Sequence, residues 1–89
     1  MTLTTTISLR VLFFATLRDR TGTRSHDLQL PAGSTITTLK AALVESFPGL
    51  AQPGVMEHCL ASINHEYRLD ETTIPDGAEV ALFPPVSGG

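Results

Sequence analysis

The C-terminal stretch Leu82-Phe83-Pro84-Pro85-Val86-Ser87-Gly88-Gly89 has the residue types and spacing through which this sequence could do chemistry. No side chain from Val80 to Gly89 is charged, so the ionic group at the tip is the α-carboxylate of Gly89. Two consecutive prolines fix φ near about −65° and favour an extended segment without internal hydrogen bonds, so the chain should leave its domain as a stiff rod. Val86, Ser87, Gly88 and Gly89 then span about 13 Å at roughly 3.3 to 3.6 Å per residue. That reach would carry a carboxylate into another protein's cleft. Glycines, lacking Cβ, let the backbone pass close to the walls of a narrow tunnel. Many chains simply end in small, tolerant residues; the apolar strand, the proline pair and the small-residue tip together favour a functional tail.

Other chemistry is poorly supported. The sequence has no Gly-rich phosphate loop with an adjacent lysine and no nucleophile with an evident base. His26, His58 and His65 are not clustered with carboxylates or with Cys59 at ligand spacing, so no metal site is expected. Neighbours in a strand point to opposite faces, so His58 and Cys59 would not form a dyad and Cys59 reads as a buried structural thiol. A lone cysteine fits a reducing compartment. The net charge of −3 and the scattered arginines argue against nucleic acid. No apolar run approaches the roughly 20 residues of a membrane span. The run Val11 to Leu17 follows a Thr-rich start with Arg10 as its only positive charge and has no small-residue cleavage site, so it reads as a strand and the protein as cytoplasmic.

Eighty-nine residues make one domain with a modest core. Met1 to Thr6 is polar and expected to fray. From Ile7 to Thr16 apolar and polar residues alternate, with Ile7, Leu9, Val11, Phe13 and Ala15 on one face and Ser8, Arg10, Leu12, Phe14 and Thr16 on the other. Arg18 to Arg24 reads as a connection to a second strand, Ser25 to Leu30, paired antiparallel with the first. Ser34 or Thr35 can cap a helix in which Ile36, Leu39, Leu43, Val44 and Phe47 share one face, with Lys40 and Glu45 outside it. Pro48-Gly49 stops that helix. Leu50 to His58 shows no clear period. Cys59 to Ile63 is a short strand, Asn64-His65 a turn, and Glu66 to Leu69 a further short strand. Asp70 to Ile74 reads as polar linker, Pro75-Asp76-Gly77 as a tight turn and Glu79 to Phe83 as the last strand.

A hairpin, one helix across it, and short strands of which the last joins the same sheet is the order of an α+β, ubiquitin-like β-grasp: a mixed sheet with one main helix packed across it. The expected organisation is a single domain over residues 1–89 with a tail, residues 84–89, flexible relative to the domain. In this arrangement the last strand runs parallel to the first in the middle of the sheet. Val80 and Leu82 then face the helix, while Ala81 and Phe83 join Leu12 and Phe14 on the open face. An apolar cluster there, beside the root of the tail, marks a docking site for a protein partner. Tyr67 extends it and Arg18 supplies part of a charged rim.

The segments Val11 to Arg18, Leu30 to Thr35, Asp76 to Ala81 and Phe83 to Gly89 together resemble the small, sulfur-carrying subunit of molybdopterin synthase. The Gly-Gly end and element order are also similar to ubiquitin-like sulfur carriers of other pathways. The resemblance implies that Gly89 is adenylated by an E1-like adenylyltransferase using ATP and converted to a thiocarboxylate. The tail, including Gly88, Ser87 and Val86, then inserts into the large catalytic subunit of a heterotetramer and donates sulfur to cyclic pyranopterin monophosphate. It further implies that Phe14 and Phe83 face the partner and that the carrier itself binds no cofactor. Carriers for thiamine, cysteine or tRNA thiolation, or a covalent protein modifier, remain open through the same tail chemistry.

Overall fold

The computed structural model describes residues 5–84. Strand β1 (Thr6–Phe13) leads into a short helix α1 (Thr16–Thr21), then strand β2 (Ser25–Pro31) and helix α2 (Ile36–Ser46). A 3-10 turn over Pro48–Leu50 follows, and strands β3 (Leu60–Ile63), β4 (Glu66–Arg68) and β5 (Ala78–Phe83) complete the sheet. The strand order is β2-β1-β5-β3-β4. β1 is antiparallel to β2, with Leu9 opposite Leu28, and parallel to β5, with Val11 opposite Val80. β3 is antiparallel to both β5 and β4. This is the ubiquitin-like β-grasp, with β5 central and parallel to β1 as the element order implies.

Alternation sets the core. Ile7, Leu9, Val11 and Phe13 are buried from β1, Val80 and Leu82 from β5, and they share one cluster with Ile36, Leu39 and Leu43 of α2. Thr35, of the two hydroxyl candidates, is the cap: its side chain accepts from the Thr38 N–H at 3.3 Å while the Thr38 hydroxyl receives the Thr35 N–H at 3.4 Å. Two free donors of the first turn are thereby satisfied. Asn64 and His65, with φ of 50° and 75°, make the two-residue turn between β3 and β4. Both central residues in the left-handed region match the right-handed twist of the flanking strands. Asn64 also receives the Glu79 N–H on its side-chain oxygen at 3.0 Å, which ties the turn to β5.

Several local expectations are corrected. β1 ends at Phe13, and Ala15 lies outside the strand at φ 53° and ψ −129°. The following Thr16–Thr21 is helical, with buried Leu17 anchoring it, where the composition suggests only a charged connection. Thr6 pairs with Pro31 and the Thr5 carbonyl accepts the Ala32 N–H, so the strand begins within the segment expected to fray. Ile74 is buried, Thr35 and Thr73 form a bridge, and Ile74 donates its N–H to the Ser34 carbonyl; the polar stretch is a strap closing over the start of α2. Lys40, expected outside the apolar face of α2, is buried at 6% exposure. It stands four residues after Ile36, which a 3.6-residue period places on the inward face, and Asp70 pairs with it there.

Candidate functional site

The site is built on the sheet face opposite α2. Directly opposed residues on neighbouring strands point to the same side. Leu12 lies opposite Ala81, Ala81 opposite Ser62, and Ser62 opposite Tyr67, so one row crosses β1, β5, β3 and β4. One residue pair further toward the end of β5, Phe83 faces Leu60. The sheet thus brings Leu12, Phe14, Tyr67 and Phe83 around one shallow depression, with Ser62, Ala81, His65 and Glu79 completing its lining.

Two aromatic contacts give the surface its shape. Phe14 and Phe83 stack at 4.7 Å between ring centroids and 14° between planes. Tyr67 leans on the other side of Phe83 at 5.9 Å and 51°. Phe14 is delivered by the end of β1: its N–H donates to the Leu82 carbonyl at 3.3 Å, and its own carbonyl accepts the Leu17 N–H at 3.1 Å. Ala15 turns the chain away immediately afterwards. Its positive φ lies in a region disfavoured for residues with a Cβ, so the abrupt exit carries local strain.

Phe14, Leu60, Tyr67 and Leu69 are the large apolar side chains that remain exposed among the described residues, at 41%, 47%, 70% and 71%. Leu60, Tyr67 and Leu69 line a groove adjoining the aromatic depression, with Glu57, His58, Arg68 and Glu71 at its rim. Tyr67 belongs to both depressions, so the apolar surface is continuous. Leu60 and Leu69 escape a reading of single strands, because Leu60 acquires its face only through its pairing with Phe83. Arg18 is exposed on α1 and lines a depression with Asp19, Gly22, Thr23 and Arg24, and it is not among the residues lining the aromatic depression.

Gly89, Gly88, Ser87 and Val86 lie outside the described residues. Pro84 is half-buried and directly follows Phe83, so the backbone leaves β5 at the edge of the aromatic stack. Cys59 is buried, and its thiol donates to the Val55 carbonyl at 2.8 Å. Burial pushes the thiol above its ordinary range, the nearby Lys40 charge opposing this only in part. His58 is exposed and Cys59 buried, as expected of a pair that forms no dyad, although both precede β3 instead of lying within it. Among the described residues no group of three or more His, Cys, Asp and Glu side chains could hold a metal ion. None of the helices there is long and apolar enough to cross a membrane.

The chain is 35% identical over 86 residues to the molybdopterin synthase sulfur carrier subunit of Arabidopsis thaliana, an alignment covering 97% of this chain and 88% of the relative. Its fold is similar to the crystal structure of SAMP1, small archaeal modifier protein 1, from Haloferax volcanii, with a TM-score of 0.79 and 30% identity over 92% of this chain and 99% of that one. It is also similar to a chain in the complex of subunits 1 and 2 of the molybdopterin-converting factor from Helicobacter pylori, with a TM-score of 0.57 and 25% identity over 93% and 100% of the two chains. The model of the ThiS family matches residues 11–89, from the second half of β1 through the Gly-Gly terminus. The chain belongs to the ThiS family, alongside the molybdopterin synthase sulfur carrier subunits.

Proposed function

We propose that this protein is the sulfur carrier subunit of molybdopterin synthase. A carboxylate, with an ordinary pKa of about 3.3 to 3.7 at a chain terminus, is ionised at neutral pH and a poor electrophile for acyl transfer. An E1-like adenylyltransferase would therefore activate Gly89: a carboxylate oxygen attacks the α-phosphorus of ATP and pyrophosphate leaves. A sulfur nucleophile then attacks the carbonyl carbon, the bond to phosphate breaks, and AMP departs to leave the thiocarboxylate. In the large catalytic subunit that sulfur passes to cyclic pyranopterin monophosphate. ATP belongs to the activating partner, the carrier binds no cofactor of its own, and the cycle runs in the cytoplasm.

The observation that carries this reading is the stacked Phe14–Phe83 pair on the uncovered sheet face, at the root of the tail. Ordering four tail residues costs about 1 to 2 kcal/mol each. Burying an aromatic ring in a partner returns about 1.5 to 3 kcal/mol. Phe14, Phe83 and Tyr67, extended by Leu60 and Leu69, offer enough apolar surface to offset that ordering. The large subunit is the fitting occupant of this face, because the similar Helicobacter pylori chain is held in a complex of the two subunits.

The deciding experiment incubates the full chain with ATP, an E1-like enzyme and sulfide and reads its intact mass. Exchange of one oxygen for sulfur at Gly89 is expected. An unchanged mass, under conditions where another carrier reacts, would reject the assignment. A second reading, covalent attachment through Gly89 to target proteins, is favoured by the likeness to SAMP1. It predicts isopeptide products instead of a thiocarboxylate that is consumed by the large subunit.

A further inference from the structure

The chain has a single lysine, Lys40, and a single cysteine, Cys59. An amine and a thiol are among the side-chain nucleophiles best suited to attack an activated acyl group. The fold places both in one buried cluster, at 6% and 5% exposure. Lys40 Nζ donates to Asp70 Oδ1 and Oδ2, each at 3.0 Å, and to the Cys59 carbonyl at 2.9 Å. An ammonium has three protons and no acceptor, and here every proton has an oxygen to meet. The nitrogen lone pair needed for attack is thus held in an engaged N–H bond. The Cys59 thiol, beside it, points at the Val55 carbonyl at 2.8 Å.

We propose that this cluster makes the scaffold inert toward its own activated terminus, so that one copy of the carrier cannot be acylated on a lysine or cysteine side chain by another. The inference rests on the carrier reading above, in which Gly89 passes through an acyl adenylate. A free amine meeting that intermediate would form an N–C bond to the Gly89 carbonyl carbon. The C–O bond to phosphate would break, AMP would leave with the electron pair, and the nitrogen would lose a proton to solvent. The product would be two carriers joined by an isopeptide bond, with one reactive terminus spent. A thiolate would give the corresponding thioester. With Lys40 and Cys59 withdrawn, the lysine and cysteine acceptors for an activated Gly89 lie on other proteins.

The cluster also explains why the lysine is tolerated inside. Asp70 sits 30 residues downstream in the strap and closes over α2 from outside, so the ion pair holds strap, helix and the entry to β3 together. A buried ammonium without that carboxylate would be costly.

The test uses the full chain and two probes, N-acetoxysuccinimide for amines and iodoacetamide for thiols, with peptide mapping of the sites modified. In native buffer both Lys40 and Cys59 are expected to react more slowly than in denaturant by about two orders of magnitude, the factor being set by how rarely this region opens. The Ala41→Lys variant places a second amine at an exposed position of the same helix, and that amine should react without protection. Asp70→Asn should raise Lys40 labelling toward the rate of the added lysine. Native labelling of Lys40 or Cys59 at the unprotected rate would overturn the proposal. Because the probes need neither ATP nor an activating enzyme, this result is independent of the thiocarboxylate experiment, whose failure would strike the carrier assignment itself.

Discussion

Phe14 and Phe83 come from opposite ends of the chain and stack at 4.7 Å because β1 and β5 run parallel in the middle of the sheet. The parallel register puts Phe13 opposite Leu82, so each strand's next residue emerges on the open face at the same height. The tail follows directly from one member of the pair. Under the proposed function, this would couple the docking surface to the reactive terminus through a single peptide segment.

Phe83→Ala should weaken binding to the large subunit more than it weakens the fold. In the free protein Phe83 is half-buried and its loss removes mainly the stack, worth about 0.5 to 1.5 kcal/mol beyond area burial. At the centre of an interface an aromatic anchor contributes about 2 kcal/mol or more, or roughly thirtyfold in Kd. Isothermal titration and urea denaturation on the same sample compare the two. A collapse in stability with unchanged affinity would make Phe83 a core residue.

Asp70→Ala should destabilise the protein more than Lys40→Met. The lysine side chain is 7% exposed and the aspartate 42%, so removing the carboxylate leaves a buried charge uncompensated, whereas removing the ammonium leaves a carboxylate that water can reach. The first loss is expected near about 3 kcal/mol and the second well below it, since methionine also fills the lysine's volume. Denaturation midpoints in urea measure the order, and the reverse order would show that the pair's strength lies elsewhere than in desolvation.

The fold was legible where residues state their own environment. Alternation through β1, the spacing in α2, the Asp76-Gly77 turn and the apolar end of β5 define the β-grasp because each is a local pattern. Asp76 confirms its turn by accepting the Ser8 N–H at 2.8 Å, beside a Gly77 at φ 77°. What was not legible depended on a distant partner. Lys40 reads as surface until Asp70 is known to reach it, and Leu60 has no assigned face until Phe83 is found opposite it. Thr16–Thr21 is too short to show a helical period. The open-face group of Leu12, Phe14 and Phe83 could be anticipated because parity along two strands and the parallel order sufficed, whereas Tyr67 reaches it from β4 through the pairing of Ser62 with Tyr67.

Gly49→Ala should be destabilising although Gly49 has an ordinary φ. A Cβ there would run into the backbone carbonyl of Arg20, which cannot rotate away. The same approach is used productively, since the Arg20 guanidinium donates to Gln52 Oε1 at 3.0 Å and joins α1 to the turn after α2. Forcing these elements apart should cost about 1 to 3 kcal/mol. Gly22, at φ 76° with open space where a methyl group would project, provides the contrast: Gly22→Ala meets no clash and is penalised by its left-handed backbone alone, about 1 to 2 kcal/mol. Crystal structures or amide exchange across α1 would separate the two, because only the Gly49 variant should loosen the contact between Arg20 and Gln52.

The wild-type protein should lose stability in alkali through Cys59, and Cys59→Ala should lack that loss. Burial raises the thiol above its ordinary range, so once the pH passes that range the unfolded chain releases a proton that the folded chain retains. Stability then falls with rising pH, because the folded state binds more protons there. Below the unfolded thiol's range both states are protonated and the contribution is fully present; it is lost progressively as pH climbs toward the folded value. Every other group is common to both proteins and cancels in the difference. Urea denaturation of the two proteins on either side of the ordinary thiol range should show the gap between them narrowing as pH rises. A gap independent of pH would mean that Cys59 ionises as readily in the fold as outside it.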